Sequence, residues 1–490
     1  MANKKSLKIL VAASEAAPLA SAGGLGDVIG SLPLALRDLG CHVVIVLPAY
    51  RQALDKAKDF RITARNLPVR MDHNYLKADI LVGQIAPGVP TCLVRCDKLF
   101  DRDSLYGNKH GEYPDNPERF IFFSRSIPAF CSASGFAPDV ILANDWQTGL
   151  IMPILAEGAL PGTAGVFAIH NMGYLGLVPL EKKPFIGLPD KYYRMEGMEY
   201  YGKISLLKAG IVYAQAVATV SPTYAQEIRT PEFGSGLDGL MLSVKDRLFG
   251  ILNGVDYQVW NSATDRHLAA NYSSQDLCGK YKCKRDLLQI MCLPDKMFKR
   301  PLIGMVTRLV KQKGCDIVAE AAQKLFALDL SLILLGTGDR IYQRLFSKLQ
   351  ARYPNQFALR LDFDPVLAHK IMAGSDMFLI PSLYEPCGLT QMYSLKYGTL
   401  PIVRAVGGLK DTVIDPLEGQ GNGTGFKFEL YHEKDLVRAV QRATTVFKDK
   451  KQWKSMMRNG MAQDFSWRRS AKEYLAVFEH AMQARRDKTR

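Results

Sequence analysis

Short apolar runs recur along the chain, each closed by a polar or glycine-containing turn and followed by residues at helical spacing. Lys8 to Ala13 reads as a buried parallel strand and Ser21 to Asp27 as a glycine loop. Val28, Ile29, Leu32, Leu36 and Leu39 then recur at helical spacing until Gly40. Pro33 inside that stretch predicts a kink. His42 to Leu47 supplies the next strand and completes a βαβ unit. From Arg51 to Arg95 the pattern alternates more loosely, as an antiparallel insert or edge does. Asp101 to Asn116, rich in Asp, Gly, Asn and Tyr, reads as a long loop.

The alternation then resumes. Val140 to Ala143 ends in Asn144-Asp145-Trp146-Gln147, Val166 to Ile169 in His170-Asn171, and Ala216 to Val220 in Ser221-Pro222-Thr223. Polar residues at the carboxyl ends of parallel strands are where open α/β sheets bind ligands, although Ser221-Pro222 is mostly a helix cap. The pattern changes near Asn253-Gly254-Val255-Asp256, and a polar segment runs from Asn261 to Lys284. A second α/β alternation follows, with strands at Leu302 to Val306, Ser331 to Leu335, Met377 to Ile380 and Leu400 to Val403. No sequence repeat joins the halves. A last helix is expected from Ser470 to about Arg485, with Ser466 as its N-cap. The expected architecture is two Rossmann-like α/β domains, residues 1–255 and 256–465, and a final helical piece, 466–490.

Composition narrows the class. A chain of 490 residues that is 48% hydrophobic and 23% charged is globular, and no apolar run approaches the ~20 residues that span a bilayer. The beginning, MANKKSLKILVAAS, enters a patterned glycine loop, so it reads as a strand and not as a signal peptide, and a cytoplasmic protein is expected. The nine cysteines are scattered without a CxxC pair, which points to free thiols in place of disulfides or zinc. The net charge of +15 favours anionic partners, but there is no basic helix, aromatic RNA-binding pattern or finger spacing, so nucleic acid is not the expected partner.

The candidate chemistry is concentrated in PSLYEPCGLTQMYSLKYGTLPIVRAVGGL, Pro381 to Leu409. A strand ends there in a tight loop that carries Glu385, and Gly388-Leu389-Thr390 opens a helix. A second strand ends at Gly407-Gly408 before another helix, so two helix N-termini lie side by side, where free N–H groups and the helix dipole attract anions. Arg308 and Lys313 cross a strand-to-helix turn, where they read either as paired cations for a departing diphosphate or as a solvated basic loop. Gly23 and Gly24 allow close backbone approach to phosphate, though a plain turn has the same composition. Asp27 either complements the helix dipole or holds a sugar hydroxyl, and His170 is either a structural histidine or a ligand contact. Sugar hydrolases use two carboxylates across the bond. Glu385 has no second acid of comparable placement, which favours transfer from an activated donor over hydrolysis.

The segments GGLGDVIGSLP, NDWQTGL, AIHNMGY, VSPTYAQEI, ILNGVD, TRLVKQKG, IMAGSDMFLIPSLYEPCGLTQMYSLKYGTLPIVRAVGGLKDTV and DFSW resemble the bacterial glycogen and plastid starch synthase family over nearly the whole chain. The resemblance implies the GT-B fold, in which two Rossmann-like domains face across a cleft and the last helix crosses back to the first. It also implies retaining transfer of glucose, without a metal or other cofactor, from ADP-glucose or sometimes UDP-glucose to the 4-hydroxyl of an α-1,4-glucan. Position by position it implies that Gly23 and Gly24 meet the donor diphosphate and that Arg308 and Lys313 neutralise it. Glu385, Cys387 and Gly388 would line the glucosyl pocket, with Leu389 and Thr390 near phosphate, and Phe363 would pack on the base. His170 would lie near the reacting carbon, and Asp27, Asp145, Asn253 and Tyr106 around glucose or acceptor. One position departs from the family signature, which has lysine where this chain has Ser21. Loss of one charged phosphate contact costs about 1.5 to 3 kcal/mol, so a weakened or non-catalytic binding homologue is the competing expectation.

Overall fold

Every expected parallel strand is present in the computed structural model, which describes residues 6–109, 111–419 and 421–489, with residues 488 and 489 described by their backbone alone. Two compact units form, one from residues 1–254 with 467–490 and the other from 255–466. Each has its own sheet.

In the first unit the sheet strands are β1 (Lys8–Ala12), β2 (His42–Pro48), β3 (Arg61–Met71), β4 (Asn74–Ala86), β5 (Val89–Arg95), β6 (Val140–Asn144), β7 (Ala164–Ile169), β8 (Ala216–Thr219) and β9 (Leu248–Gly250). Their spatial order is β9-β8-β7-β6-β1-β2-β5-β4-β3. Strand β1 pairs in parallel with β2 (Ile9 beside Val43) and with β6 (Ile9 beside Val140). Chain order reverses between those two neighbours, so the carboxyl ends of β1 and β6 border a switch point. Strands β3, β4 and β5 form the antiparallel edge expected from their alternation. Helix α1 (Gly24–Asp38) runs through Pro33 as one element, with Asp27 in its first turn.

Asp101 to Asn116 is the long loop expected, with one short ladder inside it. It folds back through a two-residue hairpin, Gly107–Asn108 with Gly111–Glu112. The cause lies in α2 (Asn116–Ser134), whose fully buried Arg119 donates to the carbonyls of Leu99 (2.7 Å) and Leu105 (2.9 Å) and to Asn116 Oδ1 (2.6 Å). These acceptors satisfy Nε and Nη1 of the buried guanidinium, while its Nη2 has no partner among the described residues, and the two carbonyls shape the segment.

The second unit carries β10 (Leu302–Val306), β11 (Ser331–Leu335), β12 (Phe357–Arg360), β13 (Met377–Ile380), β14 (Leu400–Arg404) and β15 (Phe426–Phe428). All pair in parallel, in the order β12-β11-β10-β13-β14-β15. This is the doubly wound Rossmann order, with its switch point between β10 and β13. Helices α3 (Cys315–Phe326), α4 (Thr390–Lys396) and α5 (Gly407–Thr412) follow β10, β13 and β14.

The final helix, α6 (Trp467–Thr489), starts earlier than its apolar spacing indicates. It crosses back to the first unit, packing on α1 and on β6, β7 and β8. Trp467, Ala471, Tyr474, Val477, Phe478 and Ala481 are its buried face. Among the described residues no helix is long and apolar enough to cross a membrane.

Candidate active site

In the second unit, the switch point brings together residues that are far apart in sequence. The loop after β10 is pinned to the loop after β13, because Leu383 N–H donates to Gln312 O (2.8 Å) and Gln312 Nε2 to Tyr384 O (3.1 Å). That pinning carries Lys313 onto Glu385, with Nζ 2.5 Å from Oε2. Ser382 Oγ donates to the same oxygen at 2.8 Å. Glu385 is buried and Lys313 nearly so, so the acid is held by its own cation. From the sequence, Arg308 and Lys313 read either as paired cations for a diphosphate or as a solvated basic loop, and here Lys313 meets Glu385. Arg308 is exposed, and among the described residues its guanidinium has no ion pair or hydrogen bond.

The two side-by-side helix starts are present, but their amides are not all free. Gly408 N–H donates to Pro386 O at 3.1 Å. Gly407 has φ 44°, and a Cβ there would lie 2.0 Å from Glu385 O. A Cβ on Gly408 would lie 2.2 Å from Cys387 O. The two glycines therefore serve close backbone packing under Glu385 and Cys387 at least as much as anion binding. Gly388 turns the chain at φ 70° into Leu389 and Thr390 at the start of α4. Gln391 Nε2 ties this corner together by donating to Cys387 O, Gly388 O and Thr412 Oγ1, each at 3.1 Å. Phe363, beyond β12, leaves 83% of its surface exposed, an apolar face open to a planar partner.

In the first unit, the residues after β6 and β7 lock one another. Asn144 Nδ2 donates to Ala12 O (3.0 Å) and Leu142 O (3.2 Å), so its Oδ1 faces His170 Nε2 at 3.0 Å and accepts. His170 is thus protonated on Nε2 and keeps its Nδ1 lone pair. Burial pushes its pKa down to about 4, and the ring stays neutral. Asp145 has φ 55° and ψ −179°, a backbone region costly to any residue but glycine. In that conformation its Oδ1 accepts from His170 N–H at 2.7 Å and from Asn171 N–H at 3.4 Å. Burial raises the Asp145 pKa to about 7, against the lowering effect of those two amides.

The glycine loop after β1 holds the residue that sequence reasoning missed. Glu15, 5% exposed, accepts at Oε2 from Ala22 N–H (2.6 Å) and Gly23 N–H (3.1 Å). Its Oε1 accepts from the Tyr106 hydroxyl at 2.6 Å. The Gly23 amide expected to face phosphate is engaged by this carboxylate, and Tyr106, expected at the acceptor, points its hydroxyl at Glu15. The available signal was position: Glu15 follows a buried strand, as Asp145 and His170 do. Ser21 is exposed, with Oγ 3.3 Å from Gly23 O, and Gly24 is exposed at the start of α1. Asp27 is also exposed, yet desolvation by the surrounding loop, followed by the Glu15 charge, raises its pKa above 3.8. Asn253, after β9, is buried, and among the described residues its Oδ1 has no hydrogen-bond partner. Among the described residues no group of three or more His, Cys, Asp or Glu side chains could hold a metal ion.

Two doubly wound α/β sheets, the first with an antiparallel edge, a cation and acid at one switch point and a glycine loop with paired polar strand ends at another fit a glycosyltransferase of the GT-B class. Comparison with known proteins supports that class. Residues 8–243 match the family model described as starch synthase catalytic domain, and residues 295–460 match glycosyl transferases group 1. A glycogen synthase of Desulfatibacillum aliphaticivorans is 47% identical over 98% of this chain and 100% of its own length. One of Koribacter versatilis is 45% identical over 98% and 99%. The catalytic domain of starch synthase IV from Arabidopsis thaliana, bound to ADP and acarbose, superposes with a TM-score of 0.90 at 34% identity, covering 98% of this chain and 100% of that one. The chain belongs to the glycogen and starch synthase family.

Proposed function

We propose that the protein moves glucose, with retention, from ADP-glucose to the non-reducing 4-hydroxyl of an α-1,4-glucan in the cytoplasm. The observation that carries this reading is the Lys313–Glu385 pair beside Cys387, Gly388, Leu389 and Thr390 at the switch point of the second sheet. The adenine nucleotide is favoured because ADP is bound in the starch synthase relative. In the proposed mechanism Arg308 and Lys313 take up the charge of the departing diphosphate, which stabilises the transition state where charge develops. Glu385 orients the glucosyl group and Phe363 packs on the base. Neutral His170 lies near the reacting carbon, with Asp27, Asp145, Asn253 and Tyr106 around glucose and acceptor. The acceptor hydroxyl attacks from the face that the diphosphate leaves, and a donor phosphate oxygen takes its proton.

Ser21 supports a second reading, a non-catalytic homologue or one with weakened donor binding; a UDP-glucose-preferring transferase is a separate alternative. Its hydroxyl is turned to Gly23 O, and it brings no charge to the loop. The test is labelled glucose incorporation into glycogen from ADP-glucose and from UDP-glucose, for wild type, Ser21→Lys, Lys313→Ala and Glu385→Ala. ADP-glucose should be the better donor, and each alanine variant should lose on the order of a hundredfold in kcat/KM or more. Near-normal turnover by either alanine variant removes the assignment. Unchanged donor affinity in Ser21→Lys removes the second reading.

A further inference from the structure

We propose that Glu15 is the positioning residue of the glycine loop, and that through Tyr106 it couples this loop to the segment 104–109. The inference rests on the reading of that loop as part of the donor site. A carboxylate this buried needs several donors. Among the described residues Glu15 has no salt bridge, and it is held by three hydrogen bonds instead: Ala22 N–H and Gly23 N–H on Oε2, and Tyr106 O–H on Oε1. Because the Tyr106 hydrogen is given to the carboxylate, the 2.7 Å contact with Ser14 has Ser14 Oγ as its donor.

The far end of the network is fixed as well. Asn116 Nδ2 donates to Tyr106 O at 2.9 Å, and Arg119 donates to Leu105 O and Asn116 Oδ1. The network therefore runs from a buried cation in α2, through the backbone around Tyr106, to Glu15 and then to the two loop amides. Nothing in it requires Glu15 to touch substrate. Its consequence is that the glycine loop and the 104–109 segment cannot shift separately without stranding a buried donor or acceptor. The position of Ala22 and Gly23 before α1 is then set by Glu15, and donor affinity is sensitive to a residue whose carboxylate is taken up by the loop amides and Tyr106.

The test uses the full chain with Glu15→Ala, Glu15→Gln, Tyr106→Phe and the double variant Glu15→Gln/Tyr106→Phe. The readouts are KM for ADP-glucose and for glycogen, kcat, Tm, and hydrogen exchange at the Ala22 and Gly23 amides. Glu15→Ala should raise KM for ADP-glucose about tenfold to a hundredfold and speed exchange at both amides by a similar factor, with KM for glycogen within about threefold. Glu15→Gln should be intermediate, because its amide oxygen still accepts from the loop and its Nε2 can donate to Tyr106. If Glu15→Ala does not fold, the other variants carry the test: Tyr106→Phe and Glu15→Gln should each loosen the loop, and together they should fall short of the product of their effects. Unchanged KM and exchange in the single variants, or a fully multiplicative double variant, overturns the proposal. A wild-type protein that uses neither ADP-glucose nor UDP-glucose overturns the proposed function instead, and the exchange measurement still decides the role of Glu15.

Discussion

Burial favours the neutral form of both Asp145 and His170, and they respond to pH in opposite directions. The Asp145 pKa rises from about 3.9 unfolded to about 7 folded, so between those values the folded state holds the extra proton and stability falls as pH rises. The His170 pKa falls from about 6.5 unfolded to about 4 folded, so over that window the unfolded state holds the extra proton and stability rises with pH. From pH 4 to 6.5 the two slopes largely cancel. Asp145→Asn should unmask the histidine and become relatively more stable as pH rises. His170→Asn should unmask the acid and become relatively less stable. Each effect is bounded by about 3 to 4 kcal/mol and is smaller in practice, because both residues keep some solvent contact. Urea unfolding at pH 4.5, 5.5 and 6.5, followed by Trp146 fluorescence, checks this; parallel pH profiles for wild type and both variants would contradict it. Glu385, His170 and Asp145 could be picked from the sequence because each follows an apolar strand. Glu15 has the same position, but nothing in the sequence reveals which amides its carboxylate holds.

At the scale of elements, the loops after β13 and β14 behave as one piece because their backbones touch. Gly407→Ala would drive a Cβ to 2.0 Å from Glu385 O, at a φ that disfavours any side chain. The expected cost is about 2 kcal/mol or more in stability and at least about tenfold in glucose incorporation, since Glu385 must move. Urea unfolding followed by Trp260 and Trp453 fluorescence, with the incorporation assay, measures both. An alanine variant of wild-type stability and activity would mean that this close approach does not position the acid. The glycine pair was legible in the sequence, and an anion site was the natural reading of it. Its packing role was not, because it depends on a neighbouring loop approaching within van der Waals distance. The 101–116 segment gives the same lesson: its composition reads as open loop, and a buried arginine from the following helix gives it shape.

For the whole molecule, the two sheets have separate cores, and α6 completes the first of them. Removing residues 467–490 strips Tyr474, Val477 and Phe478 from that core. At about 1.5 to 3 kcal/mol per buried side chain, this should cost the first unit roughly 5 kcal/mol or more. The unfolding transition reported by Trp146 should fall well below wild type while the second unit's transition holds its midpoint. A shift of both transitions by the same amount would contradict separate cores.

The sequence by itself determined the two α/β alternations, the strand ends that carry polar residues and the family, because burial periodicity and strand-to-helix turns are written in local order. Tertiary structure alone decided that Lys313 pairs with Glu385 and leaves Arg308 unpaired, that Glu15 holds the glycine loop, and that Asn144 fixes the tautomer of His170. These contacts join residues separated by a few to more than a hundred positions, and each is chosen by where buried charges and amides find partners, a choice no local pattern encodes.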